Sequence, residues 1–471
     1  MKHLLLLLAV ILWIQVASAQ QKNVLFFVVD DLGYFDISIH NNSFYESPNI
    51  DALAKEGVDF SNAYVAHPRC VPSRYALQTG KYPARIGVPG ALGKDECNLS
   101  EEEITIGQAF KNNGYTTFFA GKWHLGKEES HWPQNRGYDI NIAGCSAGAP
   151  KSYFYPYNIP QDPKRSGNHK IIEGLDEGKE GEYLTDRLTT ETVKFLAQEH
   201  TSPFFAMLCH YGVHTPLEAK AELVEKYKKK KEKMSFPESD FFEKDGVTKR
   251  YQNDPVYAAM IASVDESLGQ VVKALKENGL YENTIIVFTS DHGGLSNRGI
   301  NNKRRLATSN LPLRAGKGHN YEGGLKVPLI MAGNIKAKRK INPQLTTNTD
   351  LYPTIMDLCQ LDLLPQQHLD GISIKKSIKK KTTIDRTLYW HSPMARPQST
   401  GDTNCTVVRE NDFKLFYFYD EDRYELYDVR RDPYEKNNLF DANNQNAQRL
   451  MKKVKAWQQE VNAVFLPSNL K

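Results

Sequence analysis

The stretch NVLFFVVDD, residues 23–31, sets a pattern that recurs along the chain: a short apolar run ends in polar, chemically active side chains. An unbroken apolar run of this length is typical of a strand buried on both faces, in a sheet covered by helices. Three further runs have the same character: Thr116–Ala120, Phe204–Leu208 and Thr284–Thr289. Because helical segments alternate with these runs, the sequence predicts an α/β domain.

Three of those helical segments carry recognisable ends. Ser47 can cap a helix that has Pro48 at its first position and ends at Gly57. Ser100 and Glu103 have capping-box spacing ahead of a helix followed by Gly114. The third helix is predicted from apolar residues at helical period: Tyr257, Met260, Ile261, Val264, Leu268, Val271 and Leu275, with Gly279 after them.

Each apolar run is followed by side chains that can bind ligands or transfer protons. They are Asp30 and Asp31 after the first run, Lys122 and His124 after the second, His210 and His214 after the third, and Asp291 and His292 after the fourth. In open α/β sheets, ligands bind beyond the carboxyl ends of the strands. The sequence therefore predicts one functional site built from four strand ends.

Composition limits the class of protein. The chain has 471 residues, 40% of them hydrophobic, and a formal net charge of only +4. This length predicts two domains or one large domain with a smaller one, and so weak a charge gives no support to a nucleic-acid partner. Six cysteines occur without a C-x-x-C pair, so no zinc or redox motif is indicated and no disulfide is predicted: Cys70, Cys97, Cys145, Cys209, Cys359 and Cys405.

The amino-terminal end has the pattern of an export signal. Lys2 and His3 precede an apolar run from residue 4 to 16, and Ala17-Ser18-Ala19 follows as a small-x-small cleavage site. This pattern predicts a signal peptide over residues 1–19 and a periplasmic or secreted protein. We expect no membrane-spanning segment, since no other stretch is long and apolar enough.

The texture of the sequence changes near residue 373. Arg386–His391, Cys405–Glu410 and Phe413–Tyr419 have the composition of short strands separated by turns, and a final helix is predicted over about 447–464. We therefore predict an N-terminal domain over residues 20–372 and a smaller C-terminal α+β subdomain over 373–471.

The segment CVPSRYALQTGKYP, residues 70–83, decides the chemistry. Pro72 suits the first turn of a helix, which would place Cys70 at the helix N-terminus. The free N–H groups and the positive dipole end there suit an anion.

The same segment resembles the signature of the type I, formylglycine-dependent sulfatases, in which Cys-x-Pro-Ser-Arg is followed by Thr-Gly. Further motifs of that family lie along the chain: Asp30-Asp31, Gly121–Gly126, His214–Pro216, Asp291–Gly294, Gly316–Gly318, Tyr321–Gly324, Glu425–Asp428, Asp432-Pro433 and Asn438-Leu439. The resemblance implies the alkaline-phosphatase-like sulfatase fold, with a large mixed sheet flanked by helices and a small C-terminal antiparallel sheet. It also implies a sulfuric ester hydrolase.

The resemblance implies a role for each matching residue. A separate formylglycine-generating or anaerobic sulfatase-maturating enzyme would oxidise Cys70 to formylglycine (3-oxoalanine), whose hydrated aldehyde is the nucleophile. Arg74 would hold that group, and Lys122 and Lys317 would contact sulfate oxygens. The proton-transfer roles would fall to His124, His214 and Asp291.

A metal ion is implied as well. Three carboxylates at neighbouring strand ends, Asp30, Asp31 and Asp291, are costly to crowd unless a cation compensates them. Oxygen ligands favour a hard ion, Ca²⁺ or Mg²⁺. The resemblance favours one Ca²⁺ per chain, with residue 70 and His292 completing the ligands, although many relatives have Asn where His292 stands.

Export and the basic and aromatic segments favour a carbohydrate substrate over a small aryl sulfate. Three such segments could bind a polyanionic sugar chain: Ser152–Tyr157, Asn302–Arg305 and His391–Arg396. The predicted substrate is an algal polysaccharide such as ulvan or carrageenan, or a glycosaminoglycan oligosaccharide. Two alternatives stay open: a phosphodiesterase or phosphonate hydrolase of the same superfamily, and a non-catalytic protein that binds sulfated glycans.

Overall fold

The computed structural model describes residues 21–87, 99–159 and 171–466. The predicted signal peptide, residues 1–19, and Cys97 lie outside the described residues. Within them the strands are β1 Asn23–Val29, β2 Val58–Phe60, β3 Ala63–Tyr64, β4 Thr116–Gly121, β5 Ile140–Ile142, β6 Phe204–Cys209, β7 Phe241–Glu243, β8 Val247–Lys249, β9 Thr284–Ser290, β10 Asn297–Arg298, β11 Leu329–Gly333, β12 Ile341–Asn342, β13 Thr346–Thr347, β14 Thr387–Ser392, β15 Cys405–Glu410, β16 Phe413–Phe418 and β17 Arg423–Asp428.

Eight strands form one large mixed sheet in the order β12-β2-β11-β9-β1-β6-β4-β5. The central strands β9, β1, β6 and β4 run parallel, with Val29 beside Ser290 and Val28 beside Cys209, whereas β11 is antiparallel to both of its neighbours. All residues of β1, β6 and β9 are buried, as their unbroken apolar sequences predict. The parallel register brings the carboxyl ends of the four central strands to the same edge.

Helices cover both the sheet and its ends. They are α1 Pro48–Glu56, α2 Cys70–Thr79, α3 Ile106–Asn112, α4 Leu184–Leu196, α5 Ala221–Lys231, α6 Pro255–Glu277, α7 Glu322–Leu325, α8 Leu351–Leu358, α9 Lys375–Lys379 and α10 Gln445–Glu460. Short 3₁₀ turns occur at Tyr34–Asp36, Ser38–His40, Pro83–Ile86, Glu129–His131, Pro133–Asn135, Tyr281–Asn283 and Asn348–Asp350.

All three of these predicted helices form, but neither of the predicted side-chain caps does. Helix α1 begins at Pro48 as predicted, yet Ser47 Oγ does not cap it and hydrogen-bonds the Ser38 hydroxyl and the Asp51 carboxylate instead. Helix α6 begins after Asp254, whose carboxylate accepts from two backbone N–H groups. The Ser100–Glu103 capping box does not form. Instead Thr105 caps α3 by accepting from the N–H of Gln108 at 3.0 Å, and the Glu103 carboxylate pairs with Lys81.

A second sheet lies near the C-terminus, with four antiparallel strands in the order β14-β15-β16-β17. One face packs against α10 through residues that include Leu415, Leu450 and Val454, and the other packs against Tyr64 and Leu325 of the large unit. The fold class predicted from the sequence is confirmed, and β17 is a strand that the sequence reading recognised only as a motif. The domain boundary at residue 373 stays a prediction.

The five described cysteines are all buried and unpaired: Cys70, Cys145, Cys209, Cys359 and Cys405. Among the described residues, none of the helices combines the length and the apolar character that crossing a membrane requires.

Candidate active site

The strand ends meet as the sequence predicts. Asp30 and Asp31 follow β1, Asp291 and His292 follow β9, and Lys122 follows β4, all of them buried. Gly121 permits the last of these connections, because a Cβ atom on it would lie 2.0 Å from the carbonyl oxygen of Cys209 and its φ is +100°. The ends of β1, β9 and β4 therefore bring three carboxylates, one imidazole and one ammonium group together at one edge of the sheet.

Cys70 is the first residue of α2 and lies at this point. Its Sγ is 3.1 Å from His292 Nε2, 3.6 Å from Lys317 Nζ and 3.8 Å from Asp30 Oδ1. Burial alone would raise the pKa of the Cys70 thiol, but the charges of Lys122 and Lys317 lower it well below its usual value. The helix N-terminus adds positive potential in the same direction.

Each carboxylate has a cation beside it. Lys122 Nζ donates to Asp30 Oδ2 at 2.5 Å, Lys317 Nζ to Asp31 Oδ1 at 2.7 Å. Arg74 Nε donates to Asp291 at 3.0 Å and also bonds the backbone carbonyl of Lys122. Burial and the neighbouring Asp291 raise the pKa of Asp30 well above its usual value, although the charge of Lys122 acts in the opposite direction.

The donor set fits a metal ion. Ligand atoms of Asp30, Asp31, Cys70 and His292 all lie within 4.8 Å of one another. Asp30 Oδ1 accepts a long hydrogen bond from the Cys70 thiol, whose Sγ is 3.8 Å away, and lies 3.8 Å from an Arg74 nitrogen. Asp31 Oδ2 lies 3.8 Å from His214 Nε2, and both of these nitrogen contacts are too long for normal N–H···O bonds. These two oxygens thus retain capacity to bind a hard cation.

Asp291 stands slightly apart from this group of four. One of its oxygens accepts from Arg74 at 3.0 Å, while the other accepts from the N–H of Asp31 at 3.2 Å and lies 3.6 Å from His292 Nε2. Burial would raise the pKa of Asp291, but His292 and Arg74 lower it below its usual value, so it stays ionised at the edge of the group.

The two proton-transfer candidates both reach the centre. His214 Nδ1 contacts the carbonyl of Thr215 at 2.6 Å, so Nδ1 carries the hydrogen and Nε2 faces Asp31. Burial, followed by Lys317 and Lys122, lowers the pKa of His214 well below its usual value. His124 hydrogen-bonds the Cys70 thiol and helps to lower its pKa.

Two other histidines that follow the motifs have structural partners. His210 bonds Ser267 Oγ at 2.9 Å, and burial lowers its pKa to about 3. His319 bonds the carbonyl of Thr400 at 2.9 Å. Neither needs a catalytic role to explain its position.

Two residues that hold Cys70 in place, Ser73 and Arg69, were not predicted from the sequence. Ser73 Oγ donates to the Asp291 carbonyl at 2.5 Å and accepts from Asn348 Nδ2 at 2.9 Å, which ties α2 to β9. Arg69, just before Cys70, pairs with Asp402 of the C-terminal region at 2.6 Å. The adjacency of Ser73 and Arg69 to Cys70 was the only signal, because their partners are hundreds of residues away.

Comparison with known proteins gives a consistent picture. The family model described as Sulfatase matches residues 22–361, and the model described as N-sulphoglucosamine sulphohydrolase, C-terminal, matches residues 316–462. A sulfatase of Formosa agariphila is 29% identical, covering 93% of this chain and 89% of that protein, and the N-acetylgalactosamine-6-sulfatase of Mus musculus is 27% identical, covering 83% and 72%. The solved structure of Ps i-CgsB with k-i-k-neocarrahexaose is 30% identical, with a TM-score of 0.75 and 96% of each chain covered.

Proposed function

The chain belongs to the sulfatase family and is a sulfuric ester hydrolase, and we propose that it removes sulfate from a sulfated carbohydrate with formylglycine at position 70 and one Ca²⁺ ion. The observation that carries the proposal is the position of Cys70 at a helix N-terminus, near two lysines and beside two acids that each have an oxygen with only a 3.8 Å contact to a described nitrogen donor. This arrangement matches what a sulfate ester and a cation need together.

The chain's own residues would divide the work. Asp30, Asp31, Asp291, His292 and residue 70 would hold the calcium ion, which when bound supplies positive charge to sulfate oxygens. As formylglycine, residue 70 would supply a hydroxyl nucleophile after hydration of its aldehyde.

Positive charge and proton transfer come from the remaining residues. Lys122 and Lys317 would neutralise the sulfate, and Arg74 fixes Asp291 in place. His214 presents Nε2 to the centre, so an anionic ester bound there would raise its pKa and let it protonate the leaving oxygen. His124 is positioned to take a proton from residue 70.

A sulfated polysaccharide is the substrate class we favour. The structural relative at 30% identity was solved with a neocarrahexaose, which supports a carrageenan-type or related algal polymer. The relative named N-acetylgalactosamine-6-sulfatase supports a glycosaminoglycan as the second candidate. Export by a signal peptide over residues 1–19, to the periplasm or the medium, would bring the enzyme to such polymers. Maturation requires a formylglycine-generating or anaerobic sulfatase-maturating partner.

The test is sulfate release by protein co-expressed with a maturating enzyme, across carrageenan, ulvan and glycosaminoglycan oligosaccharides. Mass spectrometry establishes formylglycine at residue 70, and the Cys70→Ala variant is the control. We expect release from one carbohydrate class and none with the variant. Phosphodiesters and phosphonates in the same panel test the other reaction: faster turnover of these, or activity that survives Cys70→Ala, contradicts the proposal.

A further inference from the structure

Two chain segments form a rim beside the active site: residues 299–304 and residues 396–402. The two segments are joined by a backbone hydrogen bond, from the Gly299 N–H to the Ser399 carbonyl at 3.4 Å, and by a side-chain one, from Asn302 Nδ2 to the Gln398 carbonyl at 2.8 Å. A Cβ atom on Gly299 would lie 2.3 Å from the Pro397 carbonyl oxygen. The contact is therefore too close for residue 299 to carry a side chain.

The rim is fixed to the active site at two points. Asp402 accepts from Arg69, the residue before the nucleophile, at 2.6 Å. The Thr400 carbonyl contacts His319, two residues after Lys317, at 2.9 Å. A residue held on the rim is thus held in a defined position relative to residue 70.

Arg304 is such a residue. Its carbonyl accepts from Arg298 at 2.6 Å and its N–H donates to Asn302 Oδ1 at 2.7 Å, so its backbone is fixed. The side chain is partly buried, and within the described ranges its guanidinium has no hydrogen-bond or ion-pair partner. Burial lowers its pKa, and the charges next in effect are those of Asp31 and Cys70, which places the guanidinium within electrostatic reach of the active site.

Arg305 provides a contrast at the next position. Its guanidinium makes two bonds to Asp254 Oδ2, at 3.1 and 2.5 Å, at the N-terminus of α6. Arg305 therefore has its counter-ion within the protein, whereas Arg304 has none among the described residues. The positive charge of Arg396, on the other segment of the rim, repels that of Arg304 and further lowers the Arg304 pKa.

We propose that Arg304 is a specificity-determining residue that binds a second anionic group of the glycan, a sulfate or carboxylate other than the ester being hydrolysed. The inference rests on the proposed function and names a recognition contact for the same site. The reacting sulfate already has Lys122 and Lys317 beside residue 70, so an extra cation on the rim suits a different substituent. Guanidinium groups bind sulfate and carboxylate through paired N–H donors.

The kinetic test compares Arg304→Gln with Arg305→Gln. The substrates are carrageenan oligosaccharides with one and with two sulfates per disaccharide, and 4-methylumbelliferyl sulfate. We expect Arg304→Gln to raise KM for the doubly sulfated substrate about tenfold, and to lower its kcat/KM relative to that of the aryl sulfate by a similar factor. Arg305→Gln should change this ratio less than twofold, and Arg304→Lys should restore part of it.

Equal loss on every substrate, or the same ratio change in Arg305→Gln, would overturn the assignment. Melting temperatures of both variants check that the fold is kept. A binding measurement separates this inference from the proposed reaction: in Cys70→Ala protein, adding Arg304→Gln should weaken calorimetric binding of the doubly sulfated oligosaccharide about tenfold. If Arg304→Gln weakens binding but wild-type protein hydrolyses no sulfate ester, the proposed reaction is refuted and the role of Arg304 is not. If wild-type protein hydrolyses the ester but Arg304→Gln leaves binding unchanged, the role of Arg304 is refuted and the reaction is not.

Discussion

Lys122 and Lys414 are both completely buried lysines, and each faces carboxylates, yet their surroundings differ. Lys414, on β16, donates to Glu322 at 3.0 Å and to Glu435 at 2.9 Å where the small sheet meets the large unit. The other oxygens of these acids are bonded as well, to the Tyr64 hydroxyl and to the N–H of Glu322. This junction cluster, Tyr64, Glu322, Lys414 and Glu435, is closed.

The cluster around Lys122 is open by comparison. Lys122 reaches Asp30 Oδ2, but the described partners of Asp30 Oδ1 (the Cys70 thiol and an Arg74 nitrogen) and of Asp31 Oδ2 (His214 Nε2) are all 3.8 Å away. Buried charges that satisfy one another hold a structure together, whereas buried charges left partly unsatisfied create a demand for a ligand. Burial alone therefore does not separate Lys122, to which we assign a catalytic role, from the structural Lys414; the hydrogen bonding of the facing carboxylate oxygens does.

The largest expected effect is on stability, at the junction. Lys414→Met removes the cation between two buried acids and leaves only Arg409, 3.9 Å from Glu322, to face the cluster, so it should lower the free energy of unfolding by about 3–5 kcal/mol. Chemical unfolding followed by tryptophan fluorescence measures it. Exposed Lys452→Met is the control and should change stability by less than about 0.5 kcal/mol. A loss below about 1 kcal/mol for Lys414→Met, on the same scale, would mean that the closed cluster is not structural.

The matching change at the active site should affect catalysis instead. Lys122→Met removes the cation that faces Asp30 and, as we propose, the sulfate, so kcat/KM should fall about 10²–10³-fold. Sulfate release measures it, with Lys414→Met, corrected for its folded fraction, as the comparison at near wild-type activity. If the two variants lose the same activity, the contrast between the open and closed clusters has no functional meaning.

The central strands of the large sheet were predicted from the sequence better than the short strands near its edge. β1 and β9 are unbroken apolar runs, and their position in a buried parallel sheet follows from that property. β2 and β12 have only three and two residues, too short to show a period, so their places depend on packing that the sequence does not display.

The clustering of the candidate site residues was predictable for a similar reason. These residues directly follow strands and occur in recognisable motifs, so local sequence carried the signal. The junction cluster has no such signal, because Lys414 meets Glu322 across 92 residues. Thr105 displaced the expected cap at Ser100 because residues 101–103 turn before the helix begins, and Glu103 is engaged by Lys81.

Removal of the metal ion should lower the stability of the protein through the open cluster around Lys122 and not through the junction cluster, by an amount between the other expected effects. If Ca²⁺ binds the open cluster, ion at 100 times its dissociation constant adds about 2.7 kcal/mol, which chelation removes. The melting temperature of unmatured protein with EDTA, and after Ca²⁺ or Mg²⁺ is restored, measures this. Asp31→Asn should reduce the response to Ca²⁺, whereas Glu322→Gln, in the junction, should leave it intact. Equal melting temperatures with and without Ca²⁺ would contradict a calcium site.

The smallest effect is a pH dependence that belongs to the closed cluster. Burial raises the pKa of Glu435 from 4.5 to about 7, despite Lys414. Between these two values the unfolded chain releases the proton first, so it binds fewer protons than the folded state, and stability must fall as pH rises. One such group contributes at most about 1.4 kcal/mol per pH unit. Denaturant unfolding at pH 5.0 and 6.5 measures this. The free energy of unfolding should fall less between these two pH values in Glu435→Gln than in wild type, and the exposed Glu282→Gln variant should behave as wild type does. Identical falls in Glu435→Gln and wild type would mean that Glu435 is ionised throughout.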